Sequence, residues 1–192
     1  MAAVRYLLTD LWYHTRLAWY TADKEACVFV TLICGFLISL GFAMQAVFAH
    51  QDDKRNVARE LQARELACLA RNVYFEARGE PVAGQYAVAE VTMNRKASRL
   101  YPKTVCEVVH QKNWDPIRKR YVGAFSWTEF DSLPEPSGEE WQLARKIAEA
   151  VYYGRAVPTM QGALFFHATY IKPDWAKEKK RVARIGRHVF YR

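Results

Sequence analysis

Cysteine is scarce in this chain, with four residues in 192 and no pair at the C-x-x-C spacing of a zinc site. The H-E-x-x-H, G-x-S-x-G, Walker A and G-x-G-x-x-G patterns are also missing, which weighs weakly against common hydrolase and nucleotide-binding classes. No internal repeat or low-complexity tract is evident, so the length suits one ordinary domain plus an appendage. Charge is absent altogether from residues 26 to 49, and this stretch identifies the appendage.

As a helix, residues 26 to 49 would rise about 36 Å, against roughly 30 Å of bilayer hydrocarbon. Val47 and Ala49 make a passable signal-peptidase site. About 25 residues precede the apolar run, however, and the run exceeds a secretory h-region, so an uncleaved signal anchor is the expectation. In the leader, residues 1 to 25, Leu7, Leu8, Leu11, Trp12, Ala18 and Trp19 lie close to one helical face, as in an interfacial helix or a short soluble one. Arg5, Arg16 and Lys24 precede the span and Lys54, Arg55, Arg59 and Arg64 follow it, so the positive-inside rule slightly favours a cytoplasmic C-terminus or leaves the orientation open. Leader and span together are neutral, and the formal +8 belongs to residues 50 to 192. A basic body suits an anionic partner such as nucleic acid, a membrane surface or an acidic wall polymer, and basicity alone chooses none of these. Cys27 and Cys34 read as small apolar residues of the span, whereas Cys68 and Cys106 lie in the body and are available for one disulfide in an oxidising compartment.

Residues 50 to 61 read as a short charged tether, and residues 62 to 192 as the body. There, Leu66, Leu69, Ala70, Val73 and Ala77 recur at helical spacing and predict a helix from about residue 61 to 78. Gly79 reads as its C-terminal cap, Pro81 suits the first position of a new helix, and Val82 to about Ala97 reads as that second helix. Glu76 thus falls in a last turn, beside the partial negative charge of unpaired carbonyls and flanking the apolar stripe. Both influences raise its pKa, which suits a general acid. Arg78 is placed to oppose them by pairing with Glu76. Glu80, between Gly79 and Pro81, reads as a helix cap or a second polar group of the site.

Ala83, Ala87, Val88, Ala89 and Val91 surround the second helix and predict its burial. Residues 99 to 136 look irregular, with Pro102, Pro116, Pro134 and Pro136, and carry Phe125, Ser126 and Trp127, whose rings suit either sugar stacking or the core. Ser137-Gly138-Glu139-Glu140 reads as a capping box ahead of the stripe Trp141, Ala144, Ile147, Ala148, Val151 and Tyr152, with Gly154 after it. Residues 162 to 168 and 187 to 191 are strand-like. His167 and His188, with Glu76, form the alternative of a metal-dependent amidase or peptidase, although each histidine alone reads more simply as structural.

The block Cys68 to Pro81 (CLARNVYFEARGEP), then Gly84-Gln85, Ala87-Val88-Ala89 and Asn94-Arg95, closely resembles the SleB-type cell wall hydrolases. Tyr101 to Cys106, Phe125-Ser126-Trp127, Gly162 to His167, Trp175 and Ile185 to Arg192 follow in the family's order. The resemblance implies an α+β, compact, lysozyme-like domain of helices plus a small antiparallel sheet, cutting peptidoglycan glycan strands between N-acetylmuramic acid and N-acetylglucosamine. It carries the catalytic role to Glu76, with Tyr74, Arg78, Glu80, Gln85, Phe125, Ser126, Trp127, His167 and His188 as substrate-binding or supporting residues. No cofactor, metal or nucleic acid is expected. With one compelling carboxylate, a lytic transglycosylase outcome is chemically reasonable, because ordinary glycoside hydrolysis uses two. Ala124 stands where members often carry cysteine, so no disulfide pattern transfers. The binding module that accompanies some members is not among these residues, and its tethering role is assigned to the span and the basic body. Peptidoglycan lies outside the inner membrane, so the resemblance overrides the charge count and places the body in the periplasm or outside the cell. A phage-borne lysis enzyme is a further reading, since Gly35, Ser39, Gly41 and Gln45 weaken the span. A non-enzymatic wall-binding scaffold is the remaining one.

Overall fold

A computed structural model describes residues 10, 12 to 17, 20, 23 to 116 and 118 to 192. Of the leader's expected apolar face only Trp12 is described; Leu7, Leu8, Leu11, Ala18 and Trp19 lie outside the described residues. The chain divides into two compact units, Met1–Val57 and Ala58–Arg192.

Helix α1 spans Lys24–Ala77. The helix expected from about residue 61 therefore starts far earlier, and the charged segment 50 to 61 is part of it. No glycine or proline interrupts Phe42 to Arg78, Ala, Arg, Glu, Gln and Leu are strong helix formers, and Asp52 and Arg55 pair one turn apart at 3.6 Å. Within the first unit, the side chains from Val28 to Phe48 stand exposed, and the helix carries a window long and apolar enough to cross a membrane.

In the second unit the last turns of α1 bury Leu69, Ala70, Val73 and Ala77, the face that the periodicity marks. The chain then turns a corner into α2 (Val82–Ala97). The bounds are those expected, with Pro81 at the N-cap rather than the first helical position, and its carbonyl accepts from the Gly84 and Gln85 N–H groups. Gly79 does not adopt the left-handed conformation of a helix cap. Ala87, Val88, Ala89 and Val91 are fully buried, so α2 runs through the middle of the domain, although Ala83 in its first turn is exposed.

The region read as irregular holds more structure than its prolines suggest. Short helix α3 (Val105–Val109) is capped by Thr104, whose hydroxyl accepts from the Glu107 N–H. Strands β1 (Lys112–Asp115) and β2 (Arg120–Gly123) form an antiparallel hairpin, and a 3₁₀ turn follows at Ser126–Glu129. Helix α4 (Gly138–Tyr152) buries Ala144, Ile147 and Ala148, but Ser137 makes no side-chain capping bond. The side-chain cap lies instead at Thr104, whose hydroxyl also donates to the Glu107 carboxylate at 2.8 Å.

Strands β3 (Phe165–Ala168), β4 (Arg181–Ile185) and β5 (His188–Tyr191) form an antiparallel sheet in the order β3-β5-β4. Central β5 is buried along its whole length. The expected α+β class with a small antiparallel sheet is what the chain adopts. One apolar cluster joins α1, α2, α3 and α4 around Phe125 and Trp127. A second joins α2 to Met160, Ala163 and Phe190, and Phe166 packs against both. Cys68 and Cys106 form a disulfide between α1 and α3.

Candidate active site

Glu76 is the penultimate residue of α1 and is half-buried. Desolvation is the largest influence on its carboxyl and raises its pKa, as the apolar stripe predicts. Opposing that, in falling order, are the Trp127 N–H, the Ser126 hydroxyl, the Ser126 N–H and the positive charge of Arg95. The hydroxyl lies at 3.5 Å. The group is therefore held toward its protonated form by burial, with four donors or charges ready to receive it once ionised.

The donors keep their place through a buried polar chain. Asn72, one turn before Glu76, accepts from the Trp127 indole N–H at 2.9 Å and donates to the Thr92 hydroxyl at 3.0 Å. Thr92 in turn donates to the Val88 carbonyl at 2.9 Å. Trp127 also stacks on Phe75, with centroids 4.9 Å apart. Arg95 is buried in α2, donates from Nε to the Leu164 carbonyl at 2.8 Å, and lies over the Phe125 ring at 4.9 Å. Burial lowers its pKa below the ordinary guanidinium value. Asn72 and Arg95 are the members of the site that sequence reasoning missed as site residues. Each left a signal, namely a polar side chain set into an otherwise apolar helical face.

The remaining candidates separate into distinct groups. Arg78 does not pair with Glu76; it donates to the Tyr74 hydroxyl at 3.0 Å and lies over that ring, while Tyr74 packs edge-on against Trp141. Phe125 and Trp127 are buried core residues, so neither offers a free face to a sugar. Glu80 caps no helix. Its carboxylate accepts from the Arg187 backbone N–H and from Arg187 Nε, both at 2.8 Å. Burial pushes against its ionised form, but these bonds, with the positive potential from His188 and Arg187, leave its pKa lowered. Gly186 has φ +54, and a Cβ there would overlap Glu80 Oε2, so the β4–β5 turn needs glycine for both reasons. Gln85 donates to the Glu80 carbonyl at 3.2 Å. His188 packs edge-on against Phe166, and burial lowers its pKa. His167 engages both ring nitrogens, with the Ala168 carbonyl at 2.9 Å and the Tyr191 hydroxyl at 3.0 Å. Among the described residues, no three His, Cys, Asp or Glu side chains gather as a metal-binding group.

Comparison with known proteins gives a consistent answer. A family model described as Cell Wall Hydrolase matches residues 79 to 191, beginning three positions after Glu76. The spore cortex-lytic enzyme of Oceanobacillus iheyensis is 29% identical over 138 residues, covering 70% of this chain and 44% of that protein. That of Halalkalibacterium halodurans is 27% identical over 146 residues, covering 73% and 40%. The chain thus spans less than half the length of these curated relatives. Among solved structures, the catalytic domain of the Bacillus cereus SleB protein superposes with a TM-score of 0.52 at 27% identity, covering 67% of this chain and 89% of that one. The catalytic domain of the germination-specific lytic transglycosylase SleB from Bacillus anthracis gives the same TM-score and identity, covering 67% and 93%.

Proposed function

The chain belongs to the cell wall hydrolase family, and from that premise we propose that it is a membrane-anchored lytic transglycosylase that cuts peptidoglycan glycan strands with Glu76 as its single acid/base. The observation that carries this reading is the mixed environment of Glu76, where burial favours the proton and fixed donors await the carboxylate.

In the first half of the reaction, protonated Glu76 gives its proton to the glycosidic oxygen as the bond from that oxygen to the anomeric carbon of N-acetylmuramic acid breaks. The resulting carboxylate is met by the N–H groups of Trp127 and Ser126, the Ser126 hydroxyl and the Arg95 charge. In the second half, the 6-hydroxyl of the same sugar attacks the anomeric carbon and returns its proton to Glu76. The product is a 1,6-anhydro sugar, and the enzyme ends as it began. Hydrolysis would ask for a second carboxylate to activate water, which this single-carboxylate route does without.

The anchor is the apolar part of α1, whose exposed side chains a bilayer would cover. The Cys68–Cys106 disulfide supports an extracytoplasmic body, where peptidoglycan is reached and thiols oxidise. Mass spectrometry of muropeptides released by the full chain in detergent micelles tests the chemistry. Anhydro-muropeptides are expected; reducing ends alone would indicate hydrolysis, and free stem peptides would restore the amidase reading. A periplasm-active reporter fused after Arg192 is expected to be active, and silence from a stably expressed fusion would reverse the topology.

A further inference from the structure

Trp114 is the exposed tryptophan of the Ala58–Arg192 unit, at 56% exposure. Tyr121, at 63%, stands directly opposite it across the β1–β2 hairpin, and the two rings meet edge to face at 5.3 Å. Neither ring belongs to the apolar clusters of the core. Two large rings are thus held in fixed orientation by one another, with apolar surface facing water.

The base of this hairpin is locked to the turn that serves Glu76. Gly123 lies two residues beyond Tyr121 and so projects to the same face, about 7 Å along the strand. A Cβ at Gly123 would overlap Thr128 Oγ1, so that face closes on the 3₁₀ turn without room for a side chain. Glu129, in the same turn, accepts from the Gly123 N–H at 2.7 Å with one oxygen and pairs with Arg120 at 2.8 Å with the other. The first N–H groups of that turn, from Ser126 and Trp127, act on Glu76. One four-residue turn therefore borders both Glu76, through the Ser126 hydroxyl at 3.5 Å, and the base of the hairpin that carries the aromatic pair.

Charge points to the occupant. From Lys112 to Gly123 the hairpin carries Lys112, Arg118, Lys119 and Arg120 against Asp115 alone. Arg118 pairs with Asp115 and Arg120 with Glu129, which leaves Lys112 and Lys119 without an ion pair among the described residues. Lys112 lies on the same face as Trp114 and Tyr121. A polymer of sugar rings bearing carboxylates matches that face, with apolar ring surface for stacking and an anion for the lysine.

We infer that the Trp114–Tyr121 face, with Lys112, is a subsite for the glycan strand beyond the bond that Glu76 cleaves, so that the enzyme favours long strands over short fragments. This rests on the reading of Glu76 as the acid of a peptidoglycan-cleaving enzyme. The test uses the full chain in detergent micelles with purified glycan strands and with fragments only long enough to flank one scissile bond. In the Trp114→Ala/Tyr121→Ala double variant, KM for long strands is expected to rise about tenfold with kcat unchanged. Fragments should be cut as before, and Trp114→Phe should keep most of the affinity. An unchanged KM for long strands overturns the proposal. So does an equal loss on fragments, which would make the hairpin a mere prop for the turn. A deficit seen only in phosphatidylglycerol nanodiscs, and not in micelles, would assign the face to lipid instead. Sedimentation of long strands with Glu76→Gln protein, with and without the double substitution, reads the subsite without cleavage. If the unsubstituted chain cuts nothing but strand binding still depends on the two rings, the cleavage reading falls and the subsite stands.

Discussion

Two carboxylates four residues apart, Glu76 at the end of α1 and Glu80 at the corner before α2, meet opposite environments. Glu76 faces desolvation that its donors do not cancel, and its pKa rises. Glu80 is also buried, but two bonds from Arg187 hold it ionised and its pKa falls. Burial alone therefore does not make a proton donor; what matters is how fully the ionised form is compensated. One short motif thus supplies both a carboxyl held toward its protonated form and a tie that fastens the sheet to the helical corner.

The sharpest way to break this contrast is to remove each charge in turn. Glu76→Gln is expected to lower muropeptide release by about 10²- to 10⁴-fold while thermal unfolding shows no loss of stability. An active Glu76→Gln enzyme would end the acid/base assignment. Glu80→Ala should act the other way, destabilising the fold by about 1–3 kcal/mol in urea titrations, because the Arg187 backbone N–H loses its acceptor. Asn72→Ala falls between the two. It strands the buried Trp127 indole N–H, costs about 1–3 kcal/mol, and lowers kcat through a loosened turn rather than a lost acid.

The pH dependence of stability sharpens the contrast further. Both carboxyls start from an ordinary value of 4.5. Glu76, raised in the folded state, contributes stability that is present below 4.5 and lost as pH rises through its folded value. Glu80, depressed, contributes stability that is present above 4.5 and lost as pH falls through its folded value. Difference curves of unfolding free energy for Glu76→Gln and Glu80→Gln against the unsubstituted chain should therefore slope in opposite directions; parallel curves would refute the assignment. The smallest effect belongs to Ser126→Ala. Its hydroxyl sits at the 3.5 Å limit of a hydrogen bond, so activity should change by under about threefold, with the alkaline limb of the rate profile, where Glu76 loses its proton, moved slightly to higher pH.

What could be read from the residues followed the physics of each element. Helices α2 and α4 and strands β3 and β5 announce themselves through local periodicity or β-branched and aromatic content, which survive in any context. The β1–β2 hairpin does not, because its strands are mostly exposed and show no apolar alternation. Strand β4 is likewise masked by Arg181 and Arg184. The helicity of residues 50 to 61 is not marked by an apolar stripe, although its Ala, Arg, Glu and Leu residues favour helix. At the site, Glu76 is legible because its stripe and its helix end are local. Its true cationic neighbour is not. Arg78 stands two positions away in the chain, but the fold brings Arg95 from the next helix, beyond the corner at Gly79 to Pro81.

The Cys68–Cys106 bond has a topological consequence. It closes a covalent ring over a sequence separation of 38, enclosing Glu76, the corner and all of α2. A protease that cuts once anywhere inside the ring opens it without detaching anything, because both new ends stay tethered through sulfur. Separating the helix that carries Glu76 from the rest of the Ala58–Arg192 unit would require a nick and a reductant together.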